Sequence, residues 1–205
     1  MTAPGQEGTQ PAHPEAAESS GKVKIPLLKS PAGGTLESVH AAVDSGADEV
    51  YLGVHIPTPD IPYATPFTCV LGLRGQGYCF SVEQVAEADA YCRKHGASLQ
   101  VALNNNFSES LYPSALEAVR QLHAAGIKRY IVSDTAFMRH VHESYPDADM
   151  CASIMGGNTN TLTISRYESL GATRATLETC FNADEVAEIV RNSRIGIEVF
   201  VLGSP

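Results

Sequence analysis

Apolar positions along the chain switch repeatedly between continuous β-rich runs and the i, i+3, i+4 spacing of a helix face. Residues 25–54 set the pattern. Ile25 to Leu28 is an apolar run ending at the turn signal Ser30-Pro31-Ala32-Gly33-Gly34. Thr35 is expected to cap a helix, with Glu37 in its first turn and Leu36, Val39 and Val43 on one buried face. Gly46 is the natural stop, and residues 49–54 form the next strand. Strand, helix and strand with tight joints make a βαβ unit, whose strands run parallel. The same helix-to-strand joint returns: SGADEVYLGV (45–54) is echoed by HGASLQVAL (95–103), AGIKRYIVSD (125–134) and LGATRATLE (170–178).

Taken in order, the pattern predicts seven strands, near 25–28, 49–54, 99–103, 129–132, 150–154, 175–178 and 195–201, in strict alternation with six helices. Ser81 and Asn182 are expected as helix caps, and Pro113 fits a first helical turn. The fold class is α/β, a (β/α) TIM-barrel-like domain over 23–205. A closed barrel needs eight strand–helix units, so this one is expected to be incomplete. The final strand, with Ile195, Ile197, Val199 and Val201, has no following helix. The reading favoured is a fragment of a longer protein; the other is a barrel completed by a partner. Two segments fall outside the alternation. Residues 1–22 are rich in Pro, Gly, Ser, Thr, Gln and Glu without apolar periodicity, and are expected to be disordered. Residues 55–79 carry Pro57, Pro59, Pro62 and Pro66, then Gly72, Gly75 and Gly77, and are expected to be an ordered loop over the barrel mouth.

Composition narrows the function classes. The net charge of −9 disfavours broad capture of nucleic acid, which depends on Lys and Arg neutralising phosphates. No apolar run reaches membrane-spanning length and the N-terminus lacks a hydrophobic signal region, so a cytoplasmic protein without a membrane partner is expected. The five cysteines, Cys69, Cys79, Cys92, Cys151 and Cys180, form no C-x-x-C pair and read as free thiols, with no metal site within 1–205.

In (β/α) barrels the chemistry sits where strands end. That rule nominates Lys29, Ser30, His55, Asn104, Asn105, Asn106, Asp134, Ser153, Asn158, Glu178, Cys180 and Ser204. Glu178 and Asp134 are the candidate acid–base residues. Asp134 precedes Thr135 and reads equally well as a helix cap. Arg74, between glycines, can reach an anion; with Asn104, Asn105, Ser153 and Asn158 it makes the candidate substrate-binding set for a small polar molecule. His140 and His142 lie two apart on a helix, do not share a face, and are read as surface residues.

Several stretches carry a likeness: SPAGGTLESVHAAVDSGADEVYLG (30–53), Arg74 followed by Phe80-Ser81-Val82-Glu83-Gln84, LNNN (103–106), YIVSD (130–134) and IEVFVLGSP (197–205). In these the chain resembles peptidase family U32, the collagenase-like proteases. The resemblance implies a barrel followed, in several members, by cysteines that hold an iron–sulfur cluster. Those members support oxygen-independent hydroxylation of ubiquinone precursors or RNA bases, and others are peptidases. The cluster cysteines would begin beyond residue 205. This chain departs from the family pattern at Leu202, at Ser153-Ile154-Met155 and at Thr179-Cys180. Three functions follow. The favoured one is an enzyme, part of a cluster-dependent hydroxylase acting on a small molecule. The others are a peptidase, for which no Ser-His-Asp set or Cys–His pair is assignable, and a non-catalytic barrel subunit that pairs with an active relative.

The cysteine spacing generates a first prediction. Thiolates that share a cluster are usually closely spaced in sequence, and these five are not. The 1–205 chain, reconstituted anaerobically with iron and sulfide, is expected to show no cluster absorbance in the visible range. A stoichiometric, stable chromophore would overturn this reading.

Overall fold

The computed structural model describes residues 27–54 and 79–202. The strands are β1 (Lys29–Pro31), β2 (Glu49–Val54), β3 (Cys79–Phe80), β4 (Ser98–Leu103), β5 (Arg129–Val132), β6 (Asp149–Ala152), β7 (Ala172–Thr176) and β8 (Gly196–Glu198). The helices are α1 (Leu36–Asp44), α2 (Val82–Lys94), α3 (Tyr112–Ala124), α4 (Thr135–Ser144), α5 (Thr161–Ser169) and α6 (Ala183–Arg191). All pairings are parallel, in the order β1-β2-β4-β5-β6-β7-β8. Seven parallel strands with helices between them form an open, TIM-barrel-like half-cylinder.

Local sequence explains the elements. Thr35 Oγ1 accepts from Ser38 N, and Ser81 and Asn182 form capping boxes with Gln84 and Glu185. The joint glycine is demanded most clearly at Gly171, whose φ of 98° suits glycine and where a Cβ would lie 2.4 Å from the His142 ring.

Three expectations are corrected. The first strand lies at Lys29–Pro31, after the apolar run 25–28, because the backbone N–H groups of Asp48 and Glu49 bond to Leu28 O and pairing with β2 begins at Lys29. Lys29 and Ser30 are therefore strand residues rather than mouth residues. The alternation is not strict: β3 follows β2 and pairs with it at Gly53↔Cys79 and Val54↔Phe80. The last strand stops at Glu198; Val199, Phe200, Val201 and Leu202 leave the sheet and are exposed. The expectations for 1–22 and for the loop 55–79, apart from Cys79, lie outside the described residues.

Alternation within the strands separates two environments. Leu99, Val101, Leu103, Tyr130, Val132, Met150 and Ala152 face the helices and join the main core. Ala102, Ile131 and Cys151, with Tyr51 against them, form a separate small cluster inside the barrel. At the end of the barrel where β1, β2, β5 and β6 begin, the interior is ionic. Glu49, almost fully buried, accepts from Arg174 Nη1 at 2.9 Å and pairs with Lys29 Nζ at 3.4 Å. Glu198 pairs with Lys29 Nζ at 3.1 Å and with Arg174 Nη1 at 3.0 Å. Lys29 also donates to Gln100 Oε1. Side chains thus link β1 to β8, the two strands that no backbone ladder joins among the described residues.

Burial alone would raise the Glu49 pKa, but hydrogen bonding from Arg174 and the charges of Lys29 and Arg174 prevail and hold it below the ordinary carboxylate value. A depressed carboxylate stabilises the fold above its unfolded pKa, and that stability is lost as pH falls through the folded one. Chemical denaturation is expected to show constant stability from neutrality to about pH 5, then a decline below the reference value of 4.5. Glu49→Ala should cost about 3 kcal/mol at neutral pH, because Lys29, Arg174 and Arg129 lose a buried partner, and should flatten the acid limb.

Candidate functional site

The inward row of each strand, followed upward, gives the mouth. Above Ala102, Ile131 and Cys151 the next inward positions are Asn104, Ser133 and Ser153; above Thr176 comes Glu178. Small apolar side chains fill the middle of the barrel, so a ligand entering from this end meets the polar row first.

Asn104 is 8% exposed and Ser153 2%. Asn104 Nδ2 donates to Ser153 Oγ at 3.3 Å, and Ser153 Oγ also accepts from Met155 N at 3.3 Å. Ser133 Oγ donates to Asn104 O at 2.9 Å. Asn104 Oδ1 has no hydrogen-bond partner among the described residues, although it is buried. Asn105, half-buried, follows at the end of β4.

Asn158 belongs to the same end of the barrel but has a different task. It is fully buried, and its Nδ2 serves Ala152 O at 3.1 Å, Ser153 O at 2.8 Å and Thr176 O at 2.9 Å. One amide thereby fastens the end of β6 to the end of β7. Asn158 O in turn accepts from Glu178 N at 3.4 Å, which helps to place Glu178.

The two candidate acids differ. Asp134 Oδ1 accepts from Ala136 N at 2.9 Å and Phe137 N at 3.0 Å, capping α4, and Oδ2 accepts from Phe107 N at 3.2 Å. Both oxygens are occupied by backbone. Glu178 is half-buried, sits on the inward row, and makes no side-chain hydrogen bond or ion pair among the described residues. Arg74 lies outside the described residues, as do His55 and Ser204. Cys180 is exposed.

A cleft of about 420 Å³ opens beside this row, lined by Asn106, Ser133, Asp134, Thr135, Met155, Gly156 and Tyr167. Neither Tyr167 nor Gly156 was nominated from the sequence. The Tyr167 hydroxyl lies 3.2 Å from Ser133 O and 3.1 Å from Gly156 O. A Cβ on Gly156 would come 2.3 Å from that hydroxyl oxygen, so a side chain there would have to displace the Tyr167 ring. The tyrosine sits mid-helix, where the linear pattern shows only a core position.

Among the described thiols, Cys92 and Cys151 are buried and lie in different layers, and Cys180 is exposed. Cys92 is buried in the helix layer, its pKa pushed up to about 11 by burial and then by Asp89. Cys151 occupies the third position of β6, which begins at Asp149. It points into the barrel toward Thr176 Oγ1 at 3.4 Å, and burial, then the Glu198 charge, push it up to about 12. Neutral, separated thiols are poor cluster ligands. Among the described residues no group of three or more His, Cys, Asp or Glu could hold a metal ion. None of their helices is long and apolar enough to cross a membrane.

Comparison with known proteins adds to this geometry. The sequence model of peptidase family U32 matches residues 34–205. The chain is 27% identical over 184 residues to tRNA hydroxylation protein P1 of Bacillus subtilis, covering 88% of this chain and 39% of that protein. It is 26% identical over 182 residues to tRNA hydroxylation protein P of Haemophilus influenzae, covering 87% of this chain and 36% of that protein. The chain thus spans less than two fifths of these curated relatives. Among solved structures, a U32 peptidase superposes with a TM-score of 0.61 at 14% identity, over 90% of this chain and 72% of that one. An Oleispira antarctica phosphodiesterase, in complex with the product sn-glycerol-3-phosphate, superposes at 0.59 and 15% identity, over 88% and 86%. At such identities these two show the fold alone.

The Asn158 clamp is testable. Asn158→Ala leaves three strand-end carbonyls without their donor and should lower stability by about 2 kcal/mol or more, read from denaturant midpoints. A change within a few tenths of a kcal/mol would show that solvent replaces the amide.

Proposed function

Because the chain belongs to peptidase family U32, we propose that it is the barrel part of a hydroxylation protein acting on RNA, with the substrate group held at the mouth by Asn104, Ser153 and Glu178. The observation that carries this reading is the alignment of tRNA hydroxylation proteins from two bacteria with nearly nine tenths of the chain. The mouth supports it by shape and chemistry. Its floor is closed by Ala102, Ile131 and Cys151, so the reacting atom stays near the row above. There the carboxylate of Glu178 is able to take and return a proton, while Asp134 is occupied in capping. Asn104 and Ser153 orient the substrate. Insertion of oxygen into a C–H bond also needs an oxidant and an oxygen source. Among the described residues, no group of three or more His, Cys, Asp or Glu could hold a metal that supplies them. An iron–sulfur group, in this reading, is bound by residues beyond 205.

Electrostatics favour a second reading, a small-molecule substrate. The chain carries a net charge of −9, and Lys29 and Arg174 are bound to Glu49 and Glu198 below the mouth. RNA would have to find its phosphate contacts elsewhere. A peptidase finds less support: the Ser133 and Ser153 hydroxyls bond to Asn104 and Met155, not to a histidine.

Mass spectrometry of nucleosides from bulk tRNA, with and without the gene, tests the first reading. Its loss should remove a nucleoside one oxygen heavier than its parent, and the wild-type gene should restore it. Glu178→Gln should restore about a hundredth of the wild-type rate of modification or less. An unchanged nucleoside profile, together with loss of a hydroxylated small metabolite, would establish the second reading instead.

A further inference from the structure

The mouth contains a hydrogen-bonding pair that the described residues leave half used. Asn104 Nδ2 is held by Ser153 Oγ at 3.3 Å, which fixes the plane of the amide. Its Oδ1 is buried and has no partner among the described residues. Buried acceptors are nearly always satisfied, so an orphan in a polar row needs an explanation. Ser153 Oγ already accepts twice, from Asn104 Nδ2 and from Met155 N. A hydroxyl has two lone pairs and one proton. With both lone pairs engaged, the proton is left to donate, and it has no acceptor among the described residues. A free acceptor therefore sits beside a free donor, on the inward positions that follow β4 and β6, above Ala102, Ile131 and Cys151. Asn158 Oδ1 and Gln100 Nε2 are also buried without partners. Neither has an adjacent free group of the opposite kind: Asn158 is surrounded by the carbonyls it clamps, and Gln100 lies in the ionic layer with Lys29.

We propose that Asn104 and Ser153 form a recognition pair for a planar group carrying adjacent N–H and C=O, as in an imide, lactam or secondary amide. Asn104 Oδ1 accepts from the N–H, and the Ser153 hydroxyl donates to the C=O. This rests on the reading that substrate enters the C-terminal mouth of the strands, and adds which edge of the substrate is read and by which atoms. A ligand with a methyl group on that nitrogen leaves Oδ1 unpaired and brings a methyl against it. Sites that hydrogen-bond a ligand group reject analogues lacking it, because their buried polar atoms then go unpaired. Discrimination of at least about tenfold is expected from one such bond.

The same chemistry can come from a nucleobase or from a small cyclic imide, so two pairs of probes are used on the full chain: uridine with 3-methyluridine, and glutarimide with N-methylglutarimide. Binding is followed by NMR of the ¹⁵N-labelled protein, with the Asn104 side-chain amide assigned by its disappearance in Asn104→Asp. At least one unmethylated probe should shift that resonance and bind about tenfold or more tightly than its methylated partner. A preference confined to the uridine pair identifies a nucleobase source, and one shared by both pairs identifies the imide edge alone. Asn104→Ala and Ser153→Ala should each remove the preference, whereas Ser153→Thr, which keeps the hydroxyl, should retain it. Denaturant midpoints of each variant separate loss of the pair from loss of the fold. Equal affinity for methylated and unmethylated probes, absence of binding by all four, or a preference that survives in folded Asn104→Ala overturns the proposal. Failure here with a changed tRNA profile on gene loss leaves the hydroxylation reading standing; success here with an unchanged profile overturns that reading and keeps the pair.

Discussion

A carboxylate buried inside a barrel needs cations to hold it, and Glu49 has Lys29 and Arg174. The parallel sheet ends at β1 on one side and β8 on the other, and no backbone ladder joins those edges among the described residues. What brings them together is a set of side chains from β1, β2, β4, β7 and β8: Lys29, Glu49, Gln100, Arg174 and Glu198. Such a cluster adds little to net stability compared with an apolar core, because desolvation offsets most of the Coulombic gain. Its geometry is specific, however. Each ion finds its partner across the barrel, so the cluster holds the two edges of the curved sheet toward each other.

Curvature in turn decides what the other end presents. Once the interior is ionic below and filled by Ala102, Ile131 and Cys151 in the middle, the space left to a ligand is the top row. That row is polar, and its members are held by fixed contacts: Asn104 by Ser153, Glu178 partly through Asn158, and Ser133 by the carbonyl of Asn104. A site built on strand ends and braced by buried amides is rigid, as positioning chemistry requires. The cost is a buried acceptor, Asn104 Oδ1, that no described residue satisfies. Orphaned polar atoms are expensive in a fold and useful in a recognition site, since a ligand that pairs them restores the bond.

Membership of the U32 family and this geometry agree on a TIM-barrel-like protein. They pull apart on the substrate. Curated relatives are tRNA hydroxylation proteins, while the net charge of this chain and the internal pairing of Lys29 and Arg174 leave the mouth without an evident phosphate contact. An N–H and C=O edge is compatible with either source, because it describes the group that is recognised and not the molecule that carries it.

The linear pattern was enough for the class of fold. Gly46, Gly96, Gly126 and Gly171 all adopt positive φ at the four repeated joints, and the caps at Thr35, Ser81 and Asn182 form as their side chains dictate. These are local matters of backbone sterics and short-range hydrogen bonds, and so are legible in a few residues. The pattern also placed Asn104, Ser153 and Glu178 at strand ends. It misplaced Lys29, because an apolar run alone does not say where pairing begins; the ladder to Glu49 does. It left Asp134 open between cap and acid and read Asn158 as a substrate-binding residue, since a cap, a clamp and a site residue share one alphabet, and only their partners distinguish them. It did not reveal Tyr167 against Gly156, or Arg174 on Glu49, which stands 125 residues away in the chain. Contacts of that range depend on how strands curve around a common axis, and no periodicity within one strand carries that information.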